Sequence, residues 1–121
     1  MRILIIEDNT EFRESLCTLL CSRNDAIEVY EALDGNEAMI LARACHPDLI
    51  FIDIQLPDKT GLTVTREIKR HYPEMPVAIL TTYDLPEYRM AANRCGADYF
   101  FGKDSSSVDE LLGLVDCYLP Q

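Results

Sequence analysis

Along this chain, short apolar runs alternate with stretches in which apolar residues recur at helical spacing. Arg2 to Ile6 is mostly β-branched and predicts a short buried strand. Asn9 or Thr10 then suits a helix cap, and Phe12, Leu16, Leu19 and Leu20 follow at helical intervals. Ile27 to Ala32 predicts a second strand. Asp34-Gly35-Asn36 turns the chain into a helix carried by Ala38, Ile40, Leu41 and Ala44, which His46-Pro47 ends. Leu49 to Ile52 predicts a third strand, running out at Asp53. A loop with Pro57 and Gly61 leads to a helix bearing Leu62, Val64 and Ile68, stopped near Tyr72-Pro73. Val77 to Leu80 predicts a fourth strand, ending at Thr81-Thr82. Pro86 suits the first turn of the next helix, and Gly96 suits its C-terminal cap. Tyr99-Phe100-Phe101 predicts a fifth strand, ending at Gly102-Lys103. Ser105, Ser106 or Ser107 would cap a last helix whose core face is Val108, Leu111, Leu112 and Val115.

Five β-α units of this kind predict one α/β domain over residues 1–121. Strands that are apolar on both faces, each followed by a helix, form a parallel sheet covered on both sides. No repeat, linker or low-complexity segment interrupts the pattern.

Composition narrows the function. The formal net charge is −10, so phosphate backbones repel the surface and no nucleic acid should bind this chain itself. Cationic partners fit instead: a metal ion, or a basic protein face. No apolar run approaches the roughly 18 residues of a membrane span, and the run after Met1-Arg2 is too short for a signal-peptide core. A cytoplasmic protein without membrane contact is the expectation. The five cysteines are odd in number and lack a CxxC, which argues against a disulfide framework or a zinc ribbon. Cys17 and Cys21 share a helix face, but no second ligand pair accompanies them.

In parallel sheets, ligands bind beyond the carboxyl ends of the strands. Glu7 and Asp8 follow strand one, Asp53 strand three, Thr81 strand four and Lys103 strand five. Three acids, a hydroxyl and an ammonium therefore converge on one edge. Carboxylates so close together resist ionising unless a cation joins them. Mg²⁺ takes oxygen ligands and often pairs protein carboxylates with a phosphoryl oxygen. A carboxylate can also be a nucleophile and form an aspartyl-phosphate. An ammonium, a hydroxyl and a metal would then stabilise the phosphoryl oxygens.

This set resembles the receiver domains of two-component response regulators over nearly the whole chain. The resemblance rests on Glu7-Asp8, Asp53-Ile54-Gln55-Leu56-Pro57, Gly61, Thr81-Thr82 and Lys103, each at the end of its own element. It implies a flavodoxin-like (βα)5 fold with strand order 2-1-3-4-5. It implies that Asp53 accepts a phosphoryl group from a sensor histidine kinase. Glu7, Asp8 and Asp53, with the Gln55 backbone carbonyl, would hold Mg²⁺. Lys103 would hold a phosphoryl oxygen, and Thr81 and Phe100 would act as the switch pair. Thr82, Gln55 and Tyr83 would tune access and the lifetime of the phosphorylated form. The switched face, made by the fourth helix, fifth strand and last helix, would serve effector contact or a phosphorylation-dependent homodimer. Thr81-Thr82-Tyr83-Asp84 and Lys103-Asp104-Ser105-Ser106 look most like the NarL/FixJ-type group, which controls transcription through a C-terminal helix-turn-helix. That helix-turn-helix is missing from this chain, and Leu119-Pro120-Gln121 would suit a cut at a linker.

Plainer readings stand beside these. Asp53 alone reads as a strand-end turn residue, Glu7-Asp8 as a helix N-terminal acid pair, and Lys103 as a counter-ion. Thr81 and Thr82 alone are β-formers, and Phe100 is a core residue. His46 and His71 read as surface residues favoured by helix dipoles. Gly96 to Lys103 is one residue too long for a phosphate loop, and Asp104 replaces its Ser/Thr. Rival functions are a pseudo-receiver interaction module, a flavodoxin-like binder of a flavin phosphate, and an aspartyl phosphohydrolase. Glu7-Asp8 repels a flavin phosphate, and Gln55 stands where the phosphohydrolase needs its second acid. The chain also departs from the family: Asp104 replaces a frequent proline, so the Lys103–Asp104 bond should be trans. Gly102 should loosen the end of the fifth strand. Thr82, larger than the usual small residue, should narrow access to Asp53.

Overall fold

A computed structural model describes residues 1–120. Its elements, in chain order, are β1 (Arg2–Ile6), α1 (Thr10–Arg23), β2 (Glu28–Ala32), α2 (Gly35–Cys45), β3 (Leu49–Ile52), α3 (Gly61–His71), β4 (Val77–Thr81), α4 (Pro86–Arg94), β5 (Tyr99–Gly102) and α5 (Val108–Tyr118). The five strands form one parallel sheet of order β2-β1-β3-β4-β5. This is the flavodoxin-like (βα)5 arrangement.

The two faces of the central strands feed two separate cores. Leu4, Ile6, Ile50, Ile52, Val77 and Ile79 pack under α2, α3 and α4, against Ala38, Ala42, Val64, Ile68 and Ala92. Ile3, Ile5, Leu49, Phe51, Ala78 and Leu80 pack under α1 and α5, against Leu16, Leu20, Leu111, Leu114 and Val115. Complete burial of β3 explains its uninterrupted apolar run. Each such side chain contributes about 1.5–3 kcal/mol through its removal from water.

Side-chain caps fix where the helices begin. Asn9 Oδ1 accepts from the Phe12 N–H at 2.9 Å, so Asn9, not Thr10, caps α1. Asp34 Oδ1 accepts from the Glu37 N–H at 2.8 Å, and Glu37 Oε2 accepts from the Leu33 N–H at 2.7 Å. That is a reciprocal capping box. Thr60 caps α3, and Ser107 is the serine that caps α5. Gly96, just beyond α4, has a φ of 93°, the left-handed conformation expected at its position.

Three local expectations are corrected. In α2, Ala42 is buried, whereas Ile40 is 58% exposed and Ala44 is also exposed, because only one stripe of the helix meets the sheet. In α5, Leu114 takes the place expected of Val108, which is exposed in the first turn. Gly102 does not loosen β5. It is buried and paired in register with Thr81, and a Cβ there would stand 2.2 Å from Ser105 Oγ. The Lys103–Asp104 bond is trans, as expected from Asp104.

Candidate functional site

The sheet register brings the acids together. Ile6 pairs with Ile52, so the residues that follow, Glu7 and Asp53, emerge side by side. The Asp53 N–H donates to the Ile6 carbonyl at 3.0 Å, extending the ladder by one residue before the chain turns away. Glu7 likewise donates its N–H to the Ala32 carbonyl at 3.0 Å. On the far side, the Lys103 N–H donates to the Thr81 carbonyl at 2.7 Å, which fixes where the lysine leaves β5.

The turn after Asp53 depends on Gly61. A Cβ at Gly61 would stand 2.0 Å from the Asp53 carbonyl oxygen, so only glycine lets α3 start this close to the end of β3. The Gly61 N–H closes the loop on the Ile54 carbonyl at 2.6 Å. Asp58 ties the same loop to α2, accepting from the Gly35 and Asn36 N–H groups at 2.8 and 3.0 Å. Those donors, led by Gly35, hold the Asp58 carboxyl below its ordinary range.

Among the described residues, Glu7, Asp8 and Asp53 form the one group of three potential metal ligands. One carboxylate oxygen from each lies within 4.8 Å of the others. Glu7 is buried, Asp53 half-buried and Asp8 exposed. The Lys103 ammonium donates to Glu7 Oε1 and, at 3.3 Å, to Asp53 Oδ2. It also lies 4.2 Å from the centre of the Phe12 ring, a cation–π contact that holds the side chain over the site. Burial pushes the Glu7 carboxyl above its ordinary range, and the Asp53 charge adds to the rise. Hydrogen bonds from Lys103 and the Asn9 N–H pull the other way. One ammonium thus pairs with two of the three clustered carboxylates, and the excess negative charge favours a further cation.

A cleft of about 740 Å³ opens over this cluster. Its walls include Glu7, Asp8, Asp53, Gln55, Thr82, Tyr83 and Lys103, all singled out in the sequence. Gln55 Nε2 donates to the Tyr83 hydroxyl at 2.8 Å, so these two side chains bridge the loops after β3 and β4. Thr82 is exposed at the rim. Thr81 is fully buried and outside the lining, and its Oγ1 accepts from the Tyr83 N–H at 3.1 Å. Phe100 is half-buried on β5, away from the cleft, with the Arg89 guanidinium 4.7 Å from its ring centre. Arg89 in turn pairs with Asp84 at 2.7 Å.

Three contributors were not legible in the sequence: Phe12 under Lys103, Asp58 tying the loop after β3 to α2, and Arg89 over Phe100. The only available hint was Phe12, an apolar residue in the first turn of a helix beginning beside the acids.

The profile of the response regulator receiver domain family matches residues 3–116. Response regulator MprA of Mycolicibacterium vanbaalenii is 33% identical over 119 residues, 98% of this chain and 50% of that protein. The probable transcriptional regulatory protein TcrX of Mycobacterium tuberculosis is 31% identical over 93% of this chain and 47% of its own length. The chain therefore spans about half the length of these curated relatives. Among solved structures, the BeF3-activated N-terminal receiver domain of Klebsiella pneumoniae RstA superposes with a TM-score of 0.89 at 26% identity, covering 100% of both chains. The receiver domain of the putative response regulator NarL from Mycobacterium tuberculosis gives a TM-score of 0.85 at 28% identity, covering 97% of this chain and 94% of that one. With the fold, the acidic edge and the family profile in agreement, this chain belongs to the response regulator receiver domain family.

Proposed function

We propose that Asp53 is the phosphoryl acceptor of this domain and that a sensor histidine kinase is its donor. The observation that carries the reading is the convergence of Glu7, Asp8 and Asp53 with the Lys103 ammonium bonded to Asp53. In the reaction, an Asp53 carboxylate oxygen attacks phosphorus and the bond from phosphorus to the donor imidazole nitrogen breaks. Lys103 is placed to neutralise charge on a phosphoryl oxygen. The three acids are hard oxygen donors suited to Mg²⁺, with the Gln55 backbone carbonyl as a further ligand. Bound there, the ion would supply charge neutralisation at the transferring phosphoryl oxygens.

Thr81 is the proposed switch hydroxyl. Its present acceptor role toward the Tyr83 N–H leaves its own proton free to be donated to the phosphoryl group. Phe100 is the proposed coupling residue toward the face made by α4, β5 and α5, where effector contact or phosphorylation-dependent homodimerisation would be set. Gln55, Thr82 and Tyr83 line the approach to Asp53 and would set the lifetime of the acyl phosphate by positioning or excluding water. The named transcriptional regulators among the relatives support transcription control through a further effector domain, with the signalling taking place in the cytoplasm. No helix of the described residues is long and apolar enough to cross a membrane.

Intact-mass measurement after incubation with acetyl phosphate tests the reading. One phosphoryl adduct that requires Mg²⁺ and is absent from Asp53→Asn is the expected result. A folded wild type that gains no adduct from acetyl phosphate or from a phosphorylated histidine kinase would overturn it in favour of a pseudo-receiver.

A further inference from the structure

Cys17 and Cys21 lie one turn apart on α1, with Glu31 of β2 near Cys17, and neither belongs to the acidic cluster of Glu7, Asp8 and Asp53. Cys17 is half-buried against the core beneath α1, and Cys21 is exposed. Both are reduced. Four residues apart on α1, the two side chains share one face of the helix. Burial, followed by the facing Cys21, pushes the Cys17 thiol above its ordinary range, and the Glu31 carboxylate adds to the rise. Glu31 is itself held by Arg13 Nε at 3.1 Å, so the guanidinium one turn before Cys17 is already engaged.

Helical geometry decides what can join these sulfurs. Side chains four residues apart on a helix have Cβ atoms about 5–6 Å apart. A disulfide needs Cβ atoms about 3.5–4.5 Å apart, so direct oxidation would require α1 to deform. A single bridging atom between the sulfurs removes that mismatch. It also answers the electrostatics: two adjacent thiolates repel each other, and a cation between them reverses the repulsion.

We propose that Cys17 and Cys21 form a two-thiolate site for a soft, low-coordinate metal ion of the monovalent-copper class. Thiolates select soft ions. A structural zinc ion wants four protein ligands, and among the described residues no group of three or more His, Cys, Asp and Glu includes either cysteine. An ion satisfied by two sulfurs therefore fits where zinc does not. On binding, each thiol releases its proton to solvent and each sulfur donates a lone pair to the ion, with no electron transferred. The hard oxygen donors around Asp53 do not compete for such an ion.

Anaerobic titration with monovalent copper against the chromophoric chelator bicinchoninate tests this, with wild type, Cys17→Ser, Cys21→Ser and the double variant Cys45→Ser/Cys117→Ser. Wild type and the double variant should each withdraw about one equivalent of copper and gain near-ultraviolet thiolate-to-copper absorption. Each serine variant in α1 should weaken that competition by at least about tenfold. Cys21 is exposed, so Cys21→Ser keeps the fold, and circular dichroism and the thermal midpoint verify it. The proposal is overturned if wild type fails to compete. It is equally overturned if folded Cys21→Ser binds as wild type does, or if the loss follows Cys45 and Cys117.

Discussion

The two edges of the sheet use charge in opposite ways. At the amino edge, every strong group named here has a partner close at hand. The Arg2 guanidinium donates to the Cys45 carbonyl at 2.8 Å, and the Arg2 N–H donates to Asp48 Oδ2 at 2.8 Å. Asp98 Oδ2 accepts from the Lys69 ammonium and the Val77 N–H, both at 2.9 Å. Charges there stitch helix, loop and strand together. At the carboxyl edge, three carboxylates cluster and one ammonium pairs with only two of them, the buried Glu7 and Asp53. The balanced edge stabilises the fold. The unbalanced edge stores electrostatic strain that a bound cation would relieve, at some cost to the stability of the domain.

That contrast can be broken at several points. The largest effect should come from Gly61→Ala, because the carboxyl edge is held by close backbone packing rather than by charge pairing. With a Cβ only 2.0 Å from the Asp53 carbonyl oxygen, the loop must move, and urea unfolding should show a loss of about 3 kcal/mol. Phosphorylation should fall with it, since Asp53 moves too.

Asp98→Ala should cost less, about 1.5 kcal/mol, by leaving the Val77 N–H and the Lys69 ammonium unpartnered. Its labelling by acetyl phosphate should match wild type once the protein is folded. A labelling defect would mean that the two edges are coupled rather than separate. At the opposite edge, removing a charge should have the reverse sign. Metal-free Asp53→Asn should be more stable than wild type by about 1 kcal/mol in urea unfolding, although it accepts no phosphoryl group. A destabilised Asp53→Asn would mean that the Lys103 contact outweighs the repulsion among the acids.

The smallest effect concerns Tyr118, which lines the groove at the amino edge with His46 and Tyr72. Burial, then the hydrogen bond with Tyr99 at 2.8 Å, pushes Tyr118 up to about 12. The fold favours the neutral phenol, so this contribution is fully present below the ordinary tyrosine value of about 10 and is lost as pH rises toward 12. Thermal midpoints measured across that window should fall less steeply in Tyr118→Phe than in wild type.

Much of the molecule was legible residue by residue. Strand-end positions of Glu7, Asp8, Asp53, Thr81 and Lys103 follow from where apolar runs stop, because the central strands, buried on both faces, stay apolar until they end. The starts of α1, α2 and α5 were readable because Asn, Asp and Ser supply the oxygen that the first N–H groups need, whereas the Thr60 cap of α3 was not singled out. The core faces of α2 and α5 were less so. Ile40 and Val108 are apolar yet exposed, and apolar character alone does not say which side of a helix meets the sheet.

By itself, the sequence determined the order of elements, their approximate ends and the chemical types gathered at one edge, since these depend on local periodicity and on how each side chain partitions from water. Tertiary structure alone decided the partnerships. The Ile6–Ile52 register sets Glu7 beside Asp53, the fifth strand delivers Lys103 to both, and Phe12 and Asp58 support the site from other elements. These contacts join residues far apart in the chain, and their distances depend on how the strands and helices pack, which no local pattern encodes.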